Sequence, residues 1–180
     1  DFSKYGFNLD VRVFEEQVSD LISRVTYSLP GSGALDANAF DWTNGESFNN
    51  HGVEYQLRYQ PWRGGKLILS QSYVDSAQYL GVAIPPQSYK NTSLMFMQHL
   101  DSGLDFSLMY FQVDPTQYPG SVGFAPAMSR TDVRMAWPLR FGAKRGEVSF
   151  VIQNLAPAYQ DFSPEFYFRR QAYVMLRLDN

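Results

Sequence analysis

Asp132-Val133-Arg134-Met135-Ala136-Trp137-Pro138-Leu139-Arg140 sorts into two faces at period two. Val133, Met135, Trp137 and Leu139 fall on one side, and Asp132, Arg134, Ala136, Pro138 and Arg140 fall on the other. Successive side chains of a strand point to opposite faces, so the stretch reads as a strand with one wholly apolar face.

The same split recurs on either side of it. Phe7, Leu9, Val11 and Val13 oppose Asn8, Asp10 and Arg12, while Val53, Tyr55, Leu57 and Tyr59 oppose Glu54, Gln56, Arg58 and Gln60. Towards the end, Val148, Phe150 and Ile152 oppose Glu147, Ser149 and Gln153, with Val151 as an exception. Ala172, Val174, Leu176 and Leu178 then oppose Gln171, Tyr173, Met175, Arg177 and Asp179. Looser alternation around Leu67 to Tyr73, Ser93 to Leu100 and Leu104 to Phe111 completes a set of eight strands.

The connections alternate between short and long. Trp62 to Gly65, Asp101 to Gly103 and Gly142 to Gly146 are tight turns rich in Gly and Asp. Ser19 to Asn49, Asp75 to Asn91, Asp114 to Ser129 and Leu155 to Phe168 are polar, with Gly, Pro, Asn and Ser, and are expected to be loops. In an up-and-down meander every second connection falls at the same end. Short turns therefore gather at one rim and long loops at the other, as in outer-membrane barrels with periplasmic turns and extracellular loops. Eight strands put the start of the first and the end of the last at the short-turn rim, so both termini are expected in the periplasm.

Composition agrees with strands that face something other than water. Charged residues are 18% of the chain, below the usual share of about 25%, and aromatics reach 16%, which favours strands. No stretch is long and apolar enough for a membrane helix, so strands are the elements expected to meet a bilayer. Closure of the sheet is then required, because an unpaired backbone group in hydrocarbon costs several kcal/mol. The expected fold over 1–180 is all-β: an antiparallel transmembrane β-barrel, either complete with eight strands or the last eight of a larger one. Alternation alone fits a soluble lipocalin-like ligand-binding barrel with apolar interior as well. The loop asymmetry and aromatics near the short turns, Tyr59, Trp62, Phe106 and Trp137, favour the membrane form through an interfacial girdle.

The final segment carries a resemblance. Asn154-Leu155, Tyr159-Gln160-Asp161-Phe162, Pro164-Glu165 and Phe168-Arg169-Arg170, followed by Tyr173-Val174-Met175-Leu176-Arg177-Leu178, resemble the C-terminal end of TonB-dependent outer-membrane receptors. Asp10-Val11-Arg12-Val13-Phe14 with Ser19-Asp20-Leu21-Ile22, and Asn50-His51-Gly52-Val53-Glu54, are similar to recurring barrel strands of that family. The resemblance implies the last eight strands of a 22-stranded siderophore-type uptake receptor, in the bacterial outer membrane, whose plug and TonB-contacting segment lie outside these residues. It implies a plug domain, another outer-membrane or periplasmic protein, and an iron chelate or other small ligand as partners. The family closes on an aromatic residue, where this chain has Leu178-Asp179-Asn180. A stand-alone barrel that anchors or binds a partner is the other expectation.

On the polar faces, Asp10, Arg12, Glu54, Arg58, Asp132, Arg134, Arg177 and Asp179 are expected to form a lumen network. Phe40, Trp42, Tyr79, Tyr89, Tyr118 and Phe124, in the long segments, are candidates for extracellular ligand contact. Catalysis is not expected, since no nucleophile elbow, Walker loop or dinucleotide fingerprint occurs. Cysteine is absent, His51 and His99 stand without metal-ligand spacing, and neither metal nor cofactor is expected. A net charge of −3 gives no footprint for nucleic acid.

Overall fold

The computed structural model describes residues 6–26, 40–79, 87–117, 124–142, 144–160 and 166–179. The chain is all-β. Eight strands form the main sheet: β1 (Phe7–Thr26), β2 (Phe40–Tyr59), β3 (Gly65–Tyr79), β4 (Gln87–His99), β5 (Asp105–Val113), β8 (Met128–Phe141), β9 (Lys144–Gln153) and β12 (Gln171–Asp179). They pair antiparallel in chain order, so the sheet is a meander. Two small hairpins decorate its long-connection end, β6 (Thr116–Gln117) with β7 (Phe124–Ala125), and β10 (Tyr159–Gln160) with β11 (Tyr167–Phe168). Among the described residues β1 and β12 do not pair with each other, and each is an edge.

The stretches 19–26 and 40–49, expected as loop, pair with each other instead and lengthen both first strands to 20 residues. Their alternation is hidden by register shifts between Val18 and Leu21 and between Leu21 and Ile22, with Asp20 in the left-handed region at φ 57°. A bulge interrupts the regular exchange of faces, so period-two reading fails across it. β3 and β4 likewise reach into the expected 75–91 loop, where polar Asp75 and Ser76 pair with Ser88 and Gln87.

Partners directly opposed in register share a face. One row runs Phe7, Tyr59, Leu67, Phe96, Leu108, Val133, Ile152, Ala172 across all eight strands, and every member is apolar or aromatic. A neighbouring row on the opposite face runs Asp10, Gln56, Ser70, Ser93, Phe111, Arg130. The sheet curls around this second face: Asp10 on β1 and Gln153 on β9 line one cleft of about 890 Å³. The concave side is polar and the convex side apolar.

Burial follows the same inversion. Only Ala136 and Val151 are buried hydrophobics among the described residues, while Val13, Trp137, Val174 and Leu176 are 79%, 42%, 67% and 60% exposed on the convex side. Pro138 lies in β8 beyond the end of its pairing with β5 at Ala136, where β8 is paired on the β9 side only.

The apolar stretch is also staggered. It occupies 7–13 on β1 and 172–178 on β12, yet Phe7 and Ala172 stand in one row. The belt therefore slides by about six residues, or roughly 20 Å, across seven spacings of about 4.8 Å. It crosses the strand-pairing direction at a slope of roughly 30°.

Candidate functional site

The candidate site is the concave face with its two rims. The eight residues expected as a lumen network all fall on this face by register. The pairs resolved for them lie at two separate ends of the face. At the β1–β2 end, Arg12 lies 3.6 Å from Glu54 and 3.8 Å from Glu16, with both partners of the first pair well exposed. The Arg12 guanidinium also lies 5.3 Å from the ring centre of Phe14 on the same face.

At the β8–β9 end the charges pair in two separate places. Asp132 is held not by Arg134 but by Arg130, two residues earlier on the same face. Arg130 Nε donates to both carboxylate oxygens at 2.8 and 2.9 Å, and its NH2 donates to Oδ2 at 2.6 Å. Arg134 pairs across the strands with Glu147. Charges separate by strand neighbourhood, because a side chain reaches along its own strand or to the adjacent one, as Arg134 does diagonally to Glu147, and not to the far side of an open cleft.

Asp132 has a further role at the long-connection rim. Its Oδ1 accepts from the backbone N–H of Asn154 at 2.9 Å. Asn154 is fully buried and left-handed at φ 57°, a conformation that Asn adopts more readily than most residues. Its side-chain amide donates to the carbonyls of Pro157 and Phe168 at 3.3 and 3.2 Å. Arg170 closes the arrangement by donating to the Leu155 carbonyl at 2.7 Å. Tyr159 and Phe168 stack at 5.5 Å, and Arg130 lies 4.7 Å over the Phe168 ring. The connection between β9 and β12 is thus clamped onto β8.

Arg130, Glu147, Asn154 and Tyr159 were not among the site residues expected from the sequence, although Asn154 and Tyr159 belong to the segment that carries the resemblance. Arg130 had a readable signal, since it shares the parity of Asp132. The left-handed turn at Asn154 had none in the alternation.

Of the short-turn aromatics, Trp62 folds over Gly65, where an added Cβ would lie 2.4 Å from the indole nitrogen. It donates to Gln98 at 2.6 Å and meets Phe96 edge-on at 6.3 Å, with Phe106 a further 6.3 Å along. Tyr59 contacts Phe7 at 6.5 Å. Trp137 lies on the convex face too, level with Val148 and Leu176. At the other end a convex row of Tyr55, Gln71 and Thr92 is joined by side-chain hydrogen bonds, which bounds the apolar belt on β2 to β4.

Phe40 and Trp42 pack edge to face at 6.0 Å near the far end of the β1–β2 ribbon and are 47% and 62% exposed. Tyr89 sits on the concave side of β4, half-buried. Tyr118, and the side chains of Tyr79, Phe124 and Asp179, lie outside the described residues. His51 faces Asp75 at 3.4 Å and His99 faces Asp105 at 2.7 Å, each as a cross-strand pair. No group of three or more His, Asp or Glu suited to a metal ion occurs among the described residues.

No known protein family, no curated protein and no solved structure matches the chain.

Proposed function

We propose that this chain is part of the wall of a bacterial outer-membrane β-barrel, with its convex face in lipid and its concave face lining the lumen. The observation that carries the reading is the inversion of faces: the continuous apolar side is exposed, while Asp132, Ser149 and Asn154 are among the few buried side chains of the described residues. A water-soluble barrel of lipocalin type requires the reverse. The stagger of the belt adds to this, because strands tilted in a bilayer by about 35–45° carry their apolar residues diagonally across the pairing rows. The aromatics around Trp62 and Trp137 would then sit at the short-turn interface, as a girdle does.

A portion of a larger wall is favoured over a free-standing eight-stranded barrel by the edges at β1 and β12, which do not pair with each other among the described residues. With the resemblance of the final segment, this leads to the C-terminal part of a TonB-dependent, siderophore-type uptake receptor rather than a stand-alone anchor. In that setting the concave polar residues meet a plug or a passing solute, the long connections face outside, and both ends of the chain face the periplasm. The chain binds and conducts, with no chemical step of its own.

The absence of cysteine makes the test clean. Single variants Leu94→Cys and Phe150→Cys on the convex face, and Ser70→Cys and Ser93→Cys on the concave face, are refolded into liposomes. Bilayer-dissolved quenchers are expected to reach probes only at the first two, and water-soluble maleimides to label the last two faster. Equal labelling of both faces, in a chain that stays monodisperse without detergent, would falsify the membrane reading.

A further inference from the structure

Five of the six methionines, Met95, Met97, Met109, Met128 and Met175, fall on the concave face, and Met135 alone falls on the convex one. Three of them are neighbours. Met95 is directly opposed to Met109 across β4 and β5, and Met97 follows Met95 by two residues on the same face. Opposed partners have Cβ atoms about 5 Å apart, diagonal ones about 7–8 Å, and i,i+2 neighbours about 7 Å. Three flexible thioethers of that spacing can converge on one small ion. All three side chains are half-buried.

We propose that Met95, Met97 and Met109 form a thioether site for a soft monovalent metal ion, Cu(I), for which Ag(I) is a redox-inert probe. Thioethers select such ions over hard divalent ones. The surroundings act in the same direction. Asp132, opposed to Met109, is engaged by Arg130, and Asp105 is engaged by His99, while Lys66 stands opposite Met97 and disfavours higher charge. No uncommitted carboxylate is opposed to any of the three methionines in register.

His99 is the next residue on the same face beyond Met97. Its Nδ1 is 2.7 Å from Asp105 Oδ1, so with that nitrogen as donor the Nε2 lone pair is left for a ligand. Metal-binding imidazoles are commonly oriented by a carboxylate in this way. At about 13 Å from Met95 along the strand, His99 cannot share a coordination sphere with it. It serves instead as a capture ligand with Met97 at the short-turn rim.

The inference rests on the β4–β5 register and not on the membrane reading. A chain soluble without detergent would end that reading and leave this test intact. Ag(I) is titrated by calorimetry, in chloride-free buffer, into the refolded 180-residue chain. The wild type is expected to bind one ion, and the Met95→Leu/Met109→Leu double variant to lose at least about tenfold in affinity. Leucine fills nearly the same volume, so packing is retained, and Met135→Leu is expected to bind as the wild type does. X-ray absorption of the Ag(I)-loaded wild type is expected to show sulfur neighbours, a readout that needs no variant to fold. A wild type without Ag(I) uptake, a double variant of unchanged affinity, or a spectrum with only nitrogen and oxygen neighbours overturns the proposal.

Discussion

The two ends of the concave face carry the same residue types in different physical settings. Arg12 and Glu54, at the β1–β2 end, are 64% and 44% exposed and meet at 3.6 Å. Arg130 and Asp132, at the β8–β9 end, are 22% and 6% exposed, and the carboxylate also receives a backbone N–H. An exposed pair gains little over its hydrated parts. A buried carboxylate left without its cation keeps the full desolvation cost. Among the described residues the buried side chains other than glycine, Asp132, Ala136, Ser149, Val151 and Asn154, lie on β8, β9 or the residue that follows. The contrast shows that identical charges on one face are worth different amounts, depending on what packs around them.

Removing the central carboxylate strains this contrast most. Asp132→Ala is expected to cost about 3 kcal/mol, seen as a lower temperature for the heat-modified gel shift and as faster proteolysis between β9 and β12. An effect under about 1 kcal/mol would place both ends in one class. Next comes Asn154→Ala, which loses two part-buried hydrogen bonds to backbone carbonyls and forces alanine into a left-handed backbone. A loss of about 1–3 kcal/mol is expected in the same assay, with Asn154→Gly recovering the backbone part of it.

At the open end, Arg12→Ala is expected to change stability by less than about 1 kcal/mol, and by still less in molar salt. A salt-insensitive loss would mean that this end is covered by something. The smallest effect is expected at Ser149, which is 1% exposed and whose hydroxyl has no hydrogen-bond partner among the described residues. Ser149→Ala removes an unsatisfied group, so denaturant melts should show no loss or a small gain. A clear loss would identify a partner for the hydroxyl.

Much of this was legible in the chain itself. Eight main strands, their order of turns and the assignment of each side chain to a face follow from period two, because a pleated strand leaves no freedom about which side a residue takes. The expected loop at 19–49 was mostly strand, because displaced register around Asp20 erases that periodicity while leaving the pairing intact. The concave charges were readable as one face but not as separate pairs. Pairing depends on which strands are neighbours and how far a side chain reaches, so Asp132 met Arg130 where Arg134 was as near in sequence. Apart from the Asp132 carboxylate and the rings of Tyr159 and Phe168, the clamp around Asn154 is made of hydrogen bonds to backbone carbonyls, which leave no mark on composition.

The diagonal belt also bears on the two open edges. A strand joining the sheet beside β1 must centre its apolar residues about one residue further towards the long connections than β1 does, and one joining beside β12 must shift the opposite way. Each edge thus specifies a different neighbour. A strand suited to one would, at the other, carry polar side chains into the apolar band, so the sheet has a built-in direction of assembly, much as a screw thread accepts a nut from either end but advances only one way for each turn.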